Sequence, residues 1–178
     1  MQKVSFLALA IAICFTATAQ AQPPSFVDLG VIGTPGSTFI FNTDNSLFDG
    51  GANIDTELGL WDSSGILISS DDDGSAVGLF SEITETLPAG EYFLGISEFN
   101  SVFEDGFVNS GTGFEAGEFG TVTLNIDGAF AGSQIAGNPD TGFEQTGFFR
   151  VEVSAVPEPT SVLVLFGTAG LALVRRRR

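Results

Sequence analysis

The side chains in this sequence that are equipped for chemistry are carboxylates. Asp71-Asp72-Asp73-Gly74 is a run of three acids closed by a glycine. Asp55 and Glu57 flank Thr56, and Asp44, Asn45 and Asp49 lie just ahead of them. Hard oxygen ligands on glycine-containing loops are what Ca²⁺ requires, about six to eight at a site. Neighbouring carboxylates repel one another, and a divalent ion relieves that repulsion. The spacing is not that of an EF-hand, because Asp71, Asp72 and Asp73 are consecutive where the hand uses alternate positions. Two readings follow: a calcium site drawn from Asp55, Glu57, Asp71, Asp72 and Asp73, or a solvated acidic turn. The same acids admit a glycosidase, with one carboxyl as acid and a second as nucleophile or base. In so acidic a chain such pairs arise by chance, and nothing in the sequence points to a cleft. A non-catalytic chain is expected.

Composition removes other chemistries. The 178 residues contain no histidine, which excludes Ser-His-Asp triads, Cys-His pairs and His-ligated zinc. There are 22 acidic residues against 6 basic ones, a formal charge of −16. Nucleic acid and anionic lipid need Lys and Arg, so neither is expected as a partner of the body. Gly111-Thr112-Gly113 has no following Lys and is not a phosphate loop.

The elements that must position the acids are strands. Phe39 and Phe41, Leu58 and Leu60, and Tyr92, Leu94 and Ile96 alternate with their neighbours. So do the residues of Thr121–Ile126 and Phe149–Val153. A period of two between Gly/Asp/Asn/Ser clusters reads as half-buried antiparallel strands. Eight are predicted, near 26–31, 37–42, 56–61, 66–70, 81–87, 90–97, 120–126 and 147–153. Asp62-Ser63-Ser64-Gly65 is a bulged hairpin turn with Gly65 at positive φ. Leu87-Pro88-Ala89-Gly90 is a turn joining the next pair. The expected fold is all-β: a two-sheet antiparallel sandwich of jelly-roll type, followed by a short hydrophobic C-terminal helix. Residues 99–119 and 127–146 carry no strand signal and are expected to be loops. Phe99, Phe103, Phe107, Phe114 and Phe119 are expected to cap one end of the sandwich. The sharper alternative makes these rings, with Trp61 or Tyr92, a sugar-stacking surface.

The two ends are addresses. Met1-Gln2-Lys3, the apolar run Val4–Phe15 and the small residues up to Ala19-Gln20-Ala21 form a signal peptide for the Sec translocon, cut after Ala21. Cys14 leaves with it; Ile13 precedes it where a lipoprotein needs a small residue. Disulfides therefore cannot stabilise the mature chain. At the other end, Pro157-Glu158-Pro159 precedes an apolar stretch from Thr160 to Val174 and then Arg175, Arg176, Arg177 and Arg178. The stretch is marginal for a bilayer of ~20 helical residues, and the arginines hold its end in the cytoplasm. Transient inner-membrane insertion is expected. The organisation is thus 1–21 signal, 22–155 β domain, 156–178 tail. In the body, 21 acids face a single base, Arg150, so self-repulsion must be offset by divalent ions, high salt or a good core.

The order Pro-Glu-Pro, short apolar helix, Arg cluster resembles the PEP-CTERM sorting tail. The resemblance implies recognition by an exosortase-type membrane protease near Pro157-Glu158-Pro159. It further implies release or attachment at the cell surface, often among exopolysaccharide-producing bacteria. Asp55–Gly65, Asp71–Gly74, Thr86–Leu94 and Asp105-Gly106-Phe107 look like bacterial pre-peptidase C-terminal-type domains. That resemblance implies a non-catalytic β-sandwich, sometimes calcium-bound. Together these imply an exported surface or matrix protein, calcium-stabilised and adhesive, with an exopolysaccharide-binding module as the alternative.

Overall fold

The computed structural model describes residues 25–111, 113–115, 117–137 and 146–154. The expected cleavage site at Ala19 and Ala21, the C-terminal helix, Pro157–Pro159 and the four arginines lie outside them. Twelve strands are present among the described residues: β1 (Val27–Gly33), β2 (Ser37–Asn42), β3 (Leu47–Phe48), β4 (Thr56–Asp62), β5 (Leu67–Asp71), β6 (Glu82–Leu87), β7 (Gly90–Glu98), β8 (Ser101–Glu104), β9 (Val108–Gly111), β10 (Phe119–Ile126), β11 (Ala129–Gly137) and β12 (Gly147–Val153). One sheet has the order β1-β12-β7-β4-β5. The second has the order β11-β10-β2-β6, with β3 also on β10. All eight strands expected from periodicity are there.

The period of two places the core. Leu58 and Leu60 of β4, Leu94 and Ile96 of β7 and Phe149 and Val151 of β12 face Phe39, Phe41, Val122 and Leu124 of the other sheet. Each such side chain contributes roughly 1.5–3 kcal/mol by leaving water. Tyr92 closes this core near one end, donating its hydroxyl to the Pro88 carbonyl four residues back at 3.0 Å. The contact resembles the tyrosine corner of other sandwiches.

Four expectations are corrected. First, the sandwich is not wholly antiparallel, since β1 pairs with β12 in parallel. Parallel neighbours need a long connection, and here almost the whole domain intervenes. Second, residues 99–119 and 127–146 are not simply loops. They contain the β8–β9 hairpin and β11, which pairs along the length of β10. Asp127 (φ 51°) and Gly128 (φ 77°) make the tight turn between β10 and β11, as an Asp-Gly pair can.

Third, the Phe-rich segment does not cap an end. Phe103 and Phe107 lie with Trp61, Phe93 and Phe148 in a second apolar cluster, on the outer face of the first sheet. Trp61 meets Phe103 edge-on at 5.1 Å, and Phe93 meets Phe107 likewise. The indole needs a flat bed: a Cβ on Gly59 would lie 2.5 Å from the ring, and one on Gly95 2.9 Å. Trp61 Nε1 donates to the Glu104 carbonyl at 2.9 Å, and Leu67 N donates to Asp105 Oδ1 at 2.8 Å. These bonds fasten the hairpin as a third layer. Phe114 belongs to the main core, while Phe99 is exposed. Fourth, Leu87-Pro88-Ala89-Gly90 does not join a pair of neighbouring strands. β6 and β7 belong to different sheets, so the turn crosses from one to the other.

Candidate functional site: an acidic pole

The strand registers give the sandwich two distinct ends. β7 runs from Gly90, opposite Val153, to Glu98, opposite Thr56. Nine residues at ~3.4 Å rise separate the ends by roughly 27 Å. Asp55 precedes Thr56, and Asp71 at the end of β5 lies opposite Leu58. The acidic residues singled out in the sequence therefore gather at the Glu98 end.

The local chain there is held from below by hydroxyls. Thr43, Thr56 and Ser81 are fully buried and mutually hydrogen-bonded, and the Ser81 hydroxyl donates to the Thr56 carbonyl. Ile54 is buried on one side of Asp55, and Phe99 N donates to the Asp55 carbonyl at 2.8 Å. Asp71 shapes the loop that follows β5: its Oδ2 accepts from Gly74 N and from Glu82 N, each at 2.8 Å. A Cβ on Gly74 would lie 2.5 Å from that carboxylate, so any side chain there would push the Asp71 carboxylate aside. The loop is tied again where Ser75 Oγ donates to Asp44 Oδ1 at 2.7 Å.

This scaffold brings three carboxylates together. Asp55, Asp72 and Asp73 each offer an oxygen, and these oxygens all lie within 4.8 Å of one another. Asp55 Oδ1 and Asp72 Oδ1 are shielded from solvent and accept no hydrogen bond. Partial burial, then the charges of Asp73 and Asp72, raise the pKa of Asp55. Partial burial, then Asp73 and Asp71, raise that of Asp72. Three mutually repelling oxygen donors of this kind fit a hard divalent cation. Asp71 serves as the scaffold, and Glu57, half-buried on β4, stands outside the group of three. Asp44 was noted in the sequence only as a nearby acid; its hold on Ser75 could not be read from spacing.

A hollow of about 320 Å³ opens at the same pole, lined by Glu98, Phe99, Asn100, Gly113, Glu115 and Glu118. Trp61 and Tyr92, proposed from sequence as stacking rings, are 0% and 5% exposed and present no surface for a sugar.

The opposite end leads out of the domain. β12 stops at Val153, and Ser154 N donates to the Gly33 carbonyl at 3.2 Å. The next residues decide what the chain carries. Residues 155–178 match the PEP-CTERM protein-sorting motif. No curated protein and no solved structure matches the chain. The PEP-CTERM motif implies export, processing by an exosortase-type membrane enzyme and sorting toward the cell surface.

Proposed function

We propose that the chain is a non-catalytic exported protein that an exosortase-type system delivers to the cell surface or extracellular matrix, where its β domain acts as an adhesive, calcium-stabilised module. The observation that carries this reading is the PEP-CTERM motif beginning two residues after the last strand of a folded domain. The domain is cargo, and the tail is its address. The lack of histidine in the sequence supports a non-catalytic role. The convergence of Asp55, Asp72 and Asp73 supports calcium as the stabilising ion. Removing residues 157–178 should shift the protein from envelope and surface fractions to the soluble exported fraction. An unchanged distribution between fractions would refute the sorting reading.

A second reading, binding of an exopolysaccharide, draws on one observation. Phe99 is 46% exposed beside the hollow at the acidic pole, and an exposed ring is what a sugar face stacks on. Pull-down on neutral and acidic polysaccharides with wild type and Phe99→Ala tests it. Equal retention of both proteins, or of neither, counts against it.

A further inference from the structure

The end of the sandwich from which the tail leaves differs from the rest of the surface. Three pieces of chain surround the exit: the turn Thr34-Pro35-Gly36 between β1 and β2, the crossing turn Pro88-Ala89 between β6 and β7, and Ser154. The first two are joined by Gly36 N donating to the Leu87 carbonyl at 2.8 Å, and Ser154 N is held by Gly33. None of these residues is charged. Glu91 and Glu152, one step back from the exit, are engaged by Arg150 at 3.0 and 3.9 Å. The only base of the body thus offsets part of the charge of Asp28, Glu91 and Glu152, and Asp62, opposite Tyr92 on β4, adds a further acid at this end, while Asp55, Asp72, Asp73, Glu98, Glu115 and Glu118 crowd the far pole. Beside Ser154 lies an open hollow of about 450 Å³ lined by Ala89, Gly90, Glu91, Arg150, Glu152 and Val153.

The exit is also very close to the sorting motif. Ser154 is fixed to β1, and only Ala155 and Val156 separate it from Pro157. Three peptide steps span at most about 11 Å even when fully extended. β12 is not free to lend more chain, because it lies between β1 and β7 in the sheet. An enzyme that grips the chain at Pro157-Glu158-Pro159 therefore meets the folded domain itself.

We propose that this exit pole, formed by Thr34–Gly36, Pro88–Ala89 and Ser154 around the Ala89–Ser154 hollow, is a docking face for the membrane-embedded processing enzyme, with the acidic pole turned away from the bilayer. The proposal rests on the sorting reading above and adds a second contact, made by the folded domain, to the one made by the tail. The short spacer makes that contact unavoidable.

The test uses the full chain in cells that carry the processing system, and follows conversion of the precursor to the trimmed product over time. Pro35→Glu and Ala89→Glu change exposed turn residues and place charge on the docking face. Together they should slow conversion at least tenfold. Inserting ten Gly/Ser residues between Ser154 and Ala155 should shrink that effect to less than twofold, because the pole no longer needs to touch the enzyme. Asp73→Asn, at the far pole, should leave conversion unchanged. No slowing by the pole substitutions at native spacing would overturn the proposal. Equal slowing with and without the spacer would also overturn it, since that pattern reports misfolding of the cargo. Glu158→Ala is the separate control: if it is converted at the normal rate, the sorting reading fails rather than the docking face.

Discussion

The two poles of this sandwich solve opposite problems with different residues. At the acidic pole the chain concentrates like charge and holds it with a fixed scaffold: Asp71 bonded to Gly74 and Glu82, and a buried set of hydroxyls beneath. At the exit pole it uses small uncharged turn residues and gathers the only base of the body among Asp28, Glu91 and Glu152. A domain with 21 acids to one base is under electrostatic tension everywhere. The structure relieves that tension on one side with Arg150 and leaves it concentrated on the other, where an external cation can relieve it.

The scaffold is the most sensitive part of this contrast. Asp71→Ala leaves two backbone donors without their charged acceptor. Hydrogen bonds to charged groups are each worth about 1.5–3 kcal/mol, so a loss of about 3 kcal/mol is expected in urea unfolding, with any calcium response abolished as well. Asp73→Asn should instead leave calcium-free stability unharmed and remove only the calcium response. If the two substitutions behave alike, Asp71 is a ligand and not the scaffold.

Calcium itself comes next in size. At about ten to a hundred times Kd, a bound ion adds about 1.4–2.7 kcal/mol. For sites in extracellular modules, with Kd ~10⁻⁴–10⁻³ M, a concentration near 10 mM reaches that range. Thermal melts in CaCl₂ should exceed those in NaCl of the same ionic strength. Equal rises in the two salts would mean that screening alone relieves the acidic pole.

The extent to which this contrast was legible in sequence has physical causes. Period-two runs fixed β2, β4, β7, β10 and β12 because one face of each is apolar. β11 escaped because most of its residues are small or polar, its two large apolar side chains, Phe130 and Ile135, face solvent, and a bulge opposite Leu124–Asn125 shifts its phase. The turn chemistry was nevertheless written in Asp127-Gly128, as it was in Asp105-Gly106 for the β8–β9 hairpin. The acids were visible as residues, but their division of labour was not. Asp71 ends β5 and turns toward Gly74 and Glu82, while Asp72, in the loop beyond it, meets Asp55 just ahead of β4. No spacing rule joins residues 55 and 72 without the fold. The exit pole was invisible for the same reason, because Thr34–Gly36, Pro88–Ala89 and Ser154 are far apart in the chain.

The exit side is expected to yield a smaller effect than the acidic pole. Arg150 contacts Asp28 at 2.9 Å, Glu91 at 3.0 Å and Glu152 at 3.9 Å, all on partly exposed side chains. Exposed pairs are worth about 0.2–1 kcal/mol each, so Arg150→Met should cost about 1–2 kcal/mol. The difference from wild type should shrink in 1 M NaCl, where the screening length falls to about 3 Å. A loss that is insensitive to salt would place the role of Arg150 in packing its stem rather than in charge.

The smallest effect, and the one that separates the poles most cleanly, is the dependence on pH. Asp55 and Asp72 have raised pKa values in the folded domain, through partial burial and then neighbouring carboxylates. A raised carboxyl binds its proton more tightly in the folded chain than in the unfolded one. Without calcium, these groups therefore favour folding as the pH falls from neutral toward the ordinary carboxylate range, and disfavour it as the pH rises through their folded values. Asp28 behaves oppositely: the Gly30 amide and then Arg150 lower its pKa, so its contribution is present above its unfolded value and is lost as the pH falls through its folded one. Melts of wild type and Asp55→Asn/Asp72→Asn in calcium-free buffer should differ near neutrality, with the variant the more stable, and converge on acidification. Asp28→Asn should give the mirror image, less stable than wild type near neutrality and converging with it only at still lower pH. If the two variants share one sign, the poles are not electrostatic opposites, and the acidic end is an ordinary solvated surface.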